Sequence, residues 1–134
     1  MLRGMSTVAL LAEDFEGAKR WYTELLGVAP YFDRPWYAEF RIGDHQQELG
    51  VLNAAFAAQL GGVPATDRPG GVVLYWHVDD LDAALERLLG LGAVVFQPPR
   101  AFGEGFRGAS VVDPFGNLLG IMHNPHYLDV LAGR

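Results

Sequence analysis

The chain has no cysteine among its 134 residues. That excludes disulfides, thiolate nucleophiles, and zinc or iron–sulfur sites built on thiolates. Positive charge is scarce as well: ten Lys+Arg stand against sixteen Asp+Glu, a formal net charge of −6, and Lys19 is the one lysine beside nine arginines. A nucleic-acid binder normally carries a basic stripe, so that class of partner is excluded. No stretch approaches ~18 apolar residues in a row, so no membrane-spanning helix is expected. The only serines are Ser6 and Ser110, and neither sits in a nucleophile-elbow motif. What the chain does have is apolar: half of it is hydrophobic and 12% is aromatic. The length suits one domain of about 100–150 residues with a real core. Met1-Leu2-Arg3-Gly4-Met5 leads directly into patterned sequence and does not read as a secretory signal, so a cytoplasmic protein is expected.

The two halves look alike. Residues 7–15 form an apolar run ending in acids, and residues 73–81 do the same 66 positions later. A helical stripe follows each run: Phe15, Ala18, Trp21, Tyr22, Leu25 and Leu26, then Leu81, Ala84, Leu85, Leu88 and Leu89. Asp14 and Asp80 stand where N-caps belong, and Gly27 and Gly92 suit left-handed C-terminal caps. Three strand-like runs follow each helix, at about 28–32, 36–42 and 47–53, then at about 93–97, 106–112 and 117–123. Gly43-Asp44 and Asp113-Pro114-Phe115-Gly116-Asn117 supply turns. The coarse order is βαβββ, a linker, and βαβββ, which points to a duplication. Module one spans 5–53, the linker 54–70, module two 71–123 and a C-terminal tail 124–134, together a single α+β domain over 1–134.

Four stretches carry a family resemblance. They are Ala12-Glu13-Asp14-Phe15 leading to Trp21-Tyr22-Thr23-Glu24-Leu25-Leu26-Gly27, Val78-Asp79-Asp80-Leu81-Asp82-Ala83, Gly90-Leu91-Gly92-Ala93, and Asp113-Pro114-Phe115-Gly116-Asn117. In this order they resemble the vicinal-oxygen-chelate superfamily of glyoxalases, extradiol dioxygenases, fosfomycin-modifying enzymes and bleomycin-binding proteins. The resemblance implies two tandem βαβββ modules forming a curled, cup-shaped mixed sheet with helices on the outer face. It also implies a homodimer. Metal-dependent members of the family place four ligands on strands facing the cup. The matching positions here are Thr7, Gly50, Val73 and Gly120. Valine and glycine offer no donor and a threonine hydroxyl is weak, whereas a catalytic divalent metal needs about three protein ligands. The expectation is therefore no metal and no cofactor.

Period two along the strands then decides what the cup holds instead. Thr7, Ala9 and Leu11 point inward, with Glu48, Gly50 and Leu52, Val73, Tyr75 and His77, and Leu118, Gly120 and Met122. The two glycines are expected to leave open volume for an organic ligand. The expected ligand-binding set is Thr7, Trp36, Glu48, Gly50, Tyr75, His77, Phe106, Arg107, Gly120 and Met122. His77 and Glu48 are the catalytic candidates, as an acid/base pair or a polar clamp; the plainer alternative for His77 is a half-buried histidine satisfied by a backbone carbonyl or water. Arg107 can pair with an anionic ligand or with Glu104. Loop 98–105, with Gly103 and Gly105, is a candidate lid. His45 sits at a turn, and His123 and His126 lack a third ligand.

Besides a regulatory or interaction module, two functions of different class remain open at this point. One is a metal-independent protein that binds a small organic molecule, similar to the bleomycin-resistance branch. The other is a lyase, isomerase or dioxygenase with a displaced metal or a His77/Glu48 pair. The net charge does not choose between them. Glu13, Asp14, Glu16, Asp79, Asp80 and Asp82 all fall at the expected helix starts, where they cap and complement the dipole.

Overall fold

A computed structural model describes residues 1–59 and 71–134. The chain divides into two compact units, Met1–Thr66 and Asp67–Arg134. Much of the expected linker, from residue 60 to residue 70, lies outside the described residues.

The first unit holds β1 (Thr7–Ala12), α1 (Phe15–Leu26), β2 (Phe32–Arg34), β3 (Tyr37–Ile42) and β4 (Gln47–Asn53). Its sheet order is β1-β4-β3-β2, with β1 parallel to β4 and the other pairs antiparallel. The helix begins where the sequence says it should: the Asp14 side chain accepts from the Gly17 N–H at 3.0 Å. It stops at Gly27, whose φ of 71° is left-handed and whose N–H bonds the Thr23 carbonyl. Phe15, Ala18 and Tyr22 are its buried stripe, and Ala38, Phe40, Leu49 and Val51 are the buried face of the sheet. The side chains between them point to the other face, so a slip of one residue would move the whole apolar set there. Each large side chain buried this way contributes about 1.5–3 kcal/mol, which is why the register is firmly specified. Lys19 ties α1 to β2, reaching Asp33 at 3.0 Å and Glu16 at 3.1 Å.

The second unit repeats the plan: β5 (Tyr75–His77), α2 (Leu81–Gly90), β6 (Val94–Gly103), β7 (Phe106–Val112) and β8 (Leu118–His123), in sheet order β5-β8-β7-β6. Its core joins Leu81 and Leu88 of α2 to Ala109, Val111, Leu119 and Ile121. Asp80 caps α2 through the Ala83 N–H at 3.1 Å. The expected fold class is thus present, as two βαβββ modules in tandem.

Three local expectations are corrected. β2 runs from Phe32 to Arg34 rather than over 28–32, and Pro35-Trp36 form the turn after it, so Trp36 is a turn residue. Pro30 lacks the N–H a strand there would need. The stretch 98–105 is not a loop: β6 continues to Gly103, and Glu104-Gly105 make the hairpin turn. Pro98 and Pro99 fit because β6 is an edge strand, and the pairing shifts register between Gln97 and Arg100 to pass them. The tail is helical: α3 spans Pro125–Leu131, with Asn124 as N-cap and Pro at its first position.

The turn before β8 is built on Asp113, which is 3% exposed. One carboxylate oxygen accepts from the N–H groups of Phe115 at 2.9 Å and Asn117 at 2.8 Å. Asp113→Ala leaves both donors without that partner. It is expected to destabilise the protein by about 1–3 kcal/mol in urea unfolding, with Asp113→Asn costing less because it keeps an acceptor.

Candidate functional site

Each unit has an open sheet face opposite its helix. In the first unit the parallel register sets Thr7 against Glu48 and Ala9 against Gly50. The Thr7 hydroxyl donates to Glu48 Oε1 at 2.5 Å. On the other side of β4, Glu39 lies opposite Gly50 and Tyr37 opposite Leu52. Gly50 is not a void. The Tyr37 ring lies over it, so that a Cβ on residue 50 would overlap the ring edge and the phenol oxygen. The Tyr37 hydroxyl donates to Glu39 Oε1 at 2.7 Å. Burial, then the hydrogen bond to Glu39 and the charges of Glu39 and Glu48, hold this phenol protonated far above its ordinary value of 10.0. Tyr37 is therefore a hydrogen-bond donor and not a base. Arg41 is opposite Glu48 in the register, yet its guanidinium stands 3.7 Å from the centre of the Tyr31 ring.

The second unit covers its glycines in the same manner with a different strand. Tyr75 on β5 lies over Gly120 of β8: a Cβ there would sit 2.7 Å from Tyr75 Cδ1 and 3.0 Å from the Leu74 carbonyl oxygen. The same ring reaches Gly108 on β7, where a Cβ would stand 3.6 Å from Tyr75 and 2.9 Å from Phe102. Met122 continues this face, paired with His77 and with Gly108. Phe106 is half-buried at the start of β7, two residues before Gly108. The open volume expected above the two glycines is thus replaced by tyrosine rings, because glycine lets a ring approach the strand closely.

His77 is held by neighbours within its own unit. Its side chain is 9% exposed. Nδ1 accepts from the Asn124 N–H at 3.1 Å, which leaves the proton on Nε2, facing Asp79 at 3.1 Å. The ring stacks on Tyr127 with centroids 4.7 Å apart. Both nitrogens are engaged inside the second unit, so proton transfer to a substrate would first break one of these contacts. Glu48 belongs to the first unit. Arg107 stands apart from the expected set: it alternates with Gly108 and pairs with Asp82 of α2 at 3.2 Å, not with Glu104. Among the described residues no group of three His, Asp or Glu side chains is placed to hold a metal ion.

Glu39 and the Tyr37 hydroxyl were missed as site groups. The signal was present, since Tyr37-Ala38-Glu39-Phe40-Arg41 alternates polar and apolar and so puts 37 and 39 on one face.

Two measurements check this geometry. Gly120→Ala is expected to cost about 1–3 kcal/mol by overpacking. That penalty should shrink in a Tyr75→Ala background without vanishing, because the Leu74 carbonyl remains. Tyr37, with its raised value, contributes stability that is complete below pH 10.0 and is lost as pH rises through its folded value. Phenolate absorbance should therefore show one tyrosine titrating well after an ordinary phenol, and Tyr37→Phe should remove that late step.

Comparison with known proteins follows the same lines. A family model described as the Glyoxalase/Bleomycin resistance protein/Dioxygenase superfamily matches residues 4–121. The chain is 29% identical over 118 residues to a protein of Mycobacterium bovis named "Putative glyoxylase CFP32", covering 85% of this chain and 43% of that one. A protein of the same name from Mycobacterium tuberculosis matches equally, so the chain spans less than half the length of these curated relatives. A glyoxalase-related enzyme from Fulvimarina pelagi is similar in structure, with a TM-score of 0.76 and 28% identity over 92% of this chain and 90% of that one. Lactoylglutathione lyase from Agrobacterium tumefaciens shares the fold, with a TM-score of 0.69 and 20% identity over 91% and 94% of the two chains. The chain belongs to the glyoxalase/bleomycin resistance protein/dioxygenase superfamily.

Proposed function

We propose that this protein binds a small organic molecule on its open sheet faces without the metal that many relatives use. The observation that carries the reading is the treatment of the four ligand positions. Thr7 is hydrogen-bonded to Glu48, Val73 has no donor, and Gly50 and Gly120 lie under Tyr37 and Tyr75. The residues present do not fit a divalent metal: one weak hydroxyl does not make the roughly three donors such a site needs. The first unit offers instead the Tyr37 phenol and the Glu39 and Glu48 carboxylates beside the Phe32 ring, 6.3 Å from Tyr37. The second offers Tyr75, Phe102 and Met122. Apolar and aromatic walls with a few oriented polar groups are the usual make-up of a small-molecule site. In this reading the protein works in the cytoplasm as a homodimer.

A second reading rests on the relatives, two of which carry a glyoxylase name and one of which is a glyoxalase-related enzyme. It makes this chain a lyase, isomerase or dioxygenase with a metal at a displaced position. Titration calorimetry with Ni²⁺, Mn²⁺, Fe²⁺ and Zn²⁺ separates the two. The first reading expects no stoichiometric site for any of them. Tight one-to-one binding, with metal-dependent turnover of a glutathione hemithioacetal, a catechol or an epoxide, would replace it with the second.

A further inference from the structure

The second unit contains a buried imidazole whose present bonding requires it to be neutral. Nδ1 of His77 accepts from the Asn124 N–H at 3.1 Å, and a protonated imidazole has no acceptor to offer. Asn124 is the N-cap of α3, its side chain accepting from the Tyr127 N–H at 3.0 Å. Tyr127, one turn on, is the residue stacked on the His77 ring at 8° between planes. Through His77 the C-terminal helix is thus held to the end of β5 by its N-cap amide and by a ring face.

We propose that His77 is a proton-sensitive latch for α3. When Nδ1 takes up a proton, N–H faces N–H, the bond from Asn124 breaks, and the first turn of α3 detaches from β5. The groups around His77 decide how sharply this happens. Asp79 favours the charged ring, but its side chain is 91% exposed and its pull is weakened by solvent. His123, on β8, has its ring centre 5.5 Å away and directs Nδ1 at the Val78 carbonyl oxygen at 3.3 Å, so charging both rings would set like charges side by side. Arg107, opposite His123 in the ladder, is already paired with Asp82. The Tyr127 ring face does not oppose a cation. The lost Asn124 contact is therefore where proton uptake is felt. Imidazole is the side chain suited to such a change between about pH 5 and pH 8.

The test is nuclear magnetic resonance on the whole chain, from about pH 8 to about pH 5. The Asn124 amide shift is expected to follow the His77 ring signals with the same midpoint. Amide exchange across Asn124–Leu131, corrected for intrinsic rates, should rise about two- to tenfold, the factor for one net hydrogen bond. Val111 and Ile121 should stay protected. His77→Asn keeps an acceptor near the Nδ1 position and takes up no proton, so its α3 should be protected at both ends of the range. An Asn124 amide indifferent to His77, or His77→Asn losing α3 protection as the wild type does, would overturn the proposal. Should His77→Asn lose core protection at every pH, His123→Asn decides. The transition persists there if His77 is the latch, and its disappearance would assign the titration to His123 instead.

Discussion

In each module the first strand runs parallel to the last, and that single pairing fixes the side chains on which every later feature depends. Thr7 falls opposite Glu48 and Ala9 opposite Gly50; Tyr75 falls opposite Gly120 and His77 opposite Met122. Because side chains alternate, the register sends Leu49, Val51, Leu119 and Ile121 to the helix side and leaves the glycines on the open side. Burial of the apolar set holds the register in place. The open face is consequently free to vary in chemistry without disturbing the fold, and the metal-free reading proposed above rests on it.

Gly50 and Gly120 are not open space. A glycine in a strand is a close-approach point, and both are used to seat a tyrosine ring. The two modules arrive there by different routes: Tyr37 reaches Gly50 from β3, and Tyr75 reaches Gly120 from β5. In the first module the ring brings its hydroxyl to Glu39. The acids at the helix starts have separate tasks. Asp14 and Asp80 cap, Glu16 meets Lys19 and Asp82 meets Arg107. The acidic balance of the composition is thus in part a property of the helix ends.

Much of the fold was legible in the sequence because local signals agreed with one another. Asp14, Gly27 and Asp80 marked helix ends, and the turn at Asp113 marked the start of β8. The misreadings came where a local signal was read against an expected loop or tail. Pro98-Pro99 suggested a loop, but an edge strand tolerates proline when its missing donors face away from the ladder. Asn124-Pro125 was passed over as a helix start although cap and first-position proline were both there. At the site, periodicity placed Glu48, Tyr75 and His77 on strands with the right parity. What periodicity cannot give is side-chain direction at a neighbouring strand, so the rings over Gly50 and Gly120 were read as space. Arg107 precedes Gly108 and so points to the helix side, where it meets Asp82.

The proposed metal-free reading turns on the tyrosine rings that lie over Gly50 and Gly120. A crystal structure of the protein purified without added ligand, with anomalous scattering recorded for first-row metals, tests it most directly. The expected result is the Tyr37 ring on Gly50 and the Tyr75 ring on Gly120, with no anomalous peak beside either glycine. Rings swung clear of the glycines, with a metal peak bound near Thr7, Glu48 or Glu39, would contradict it.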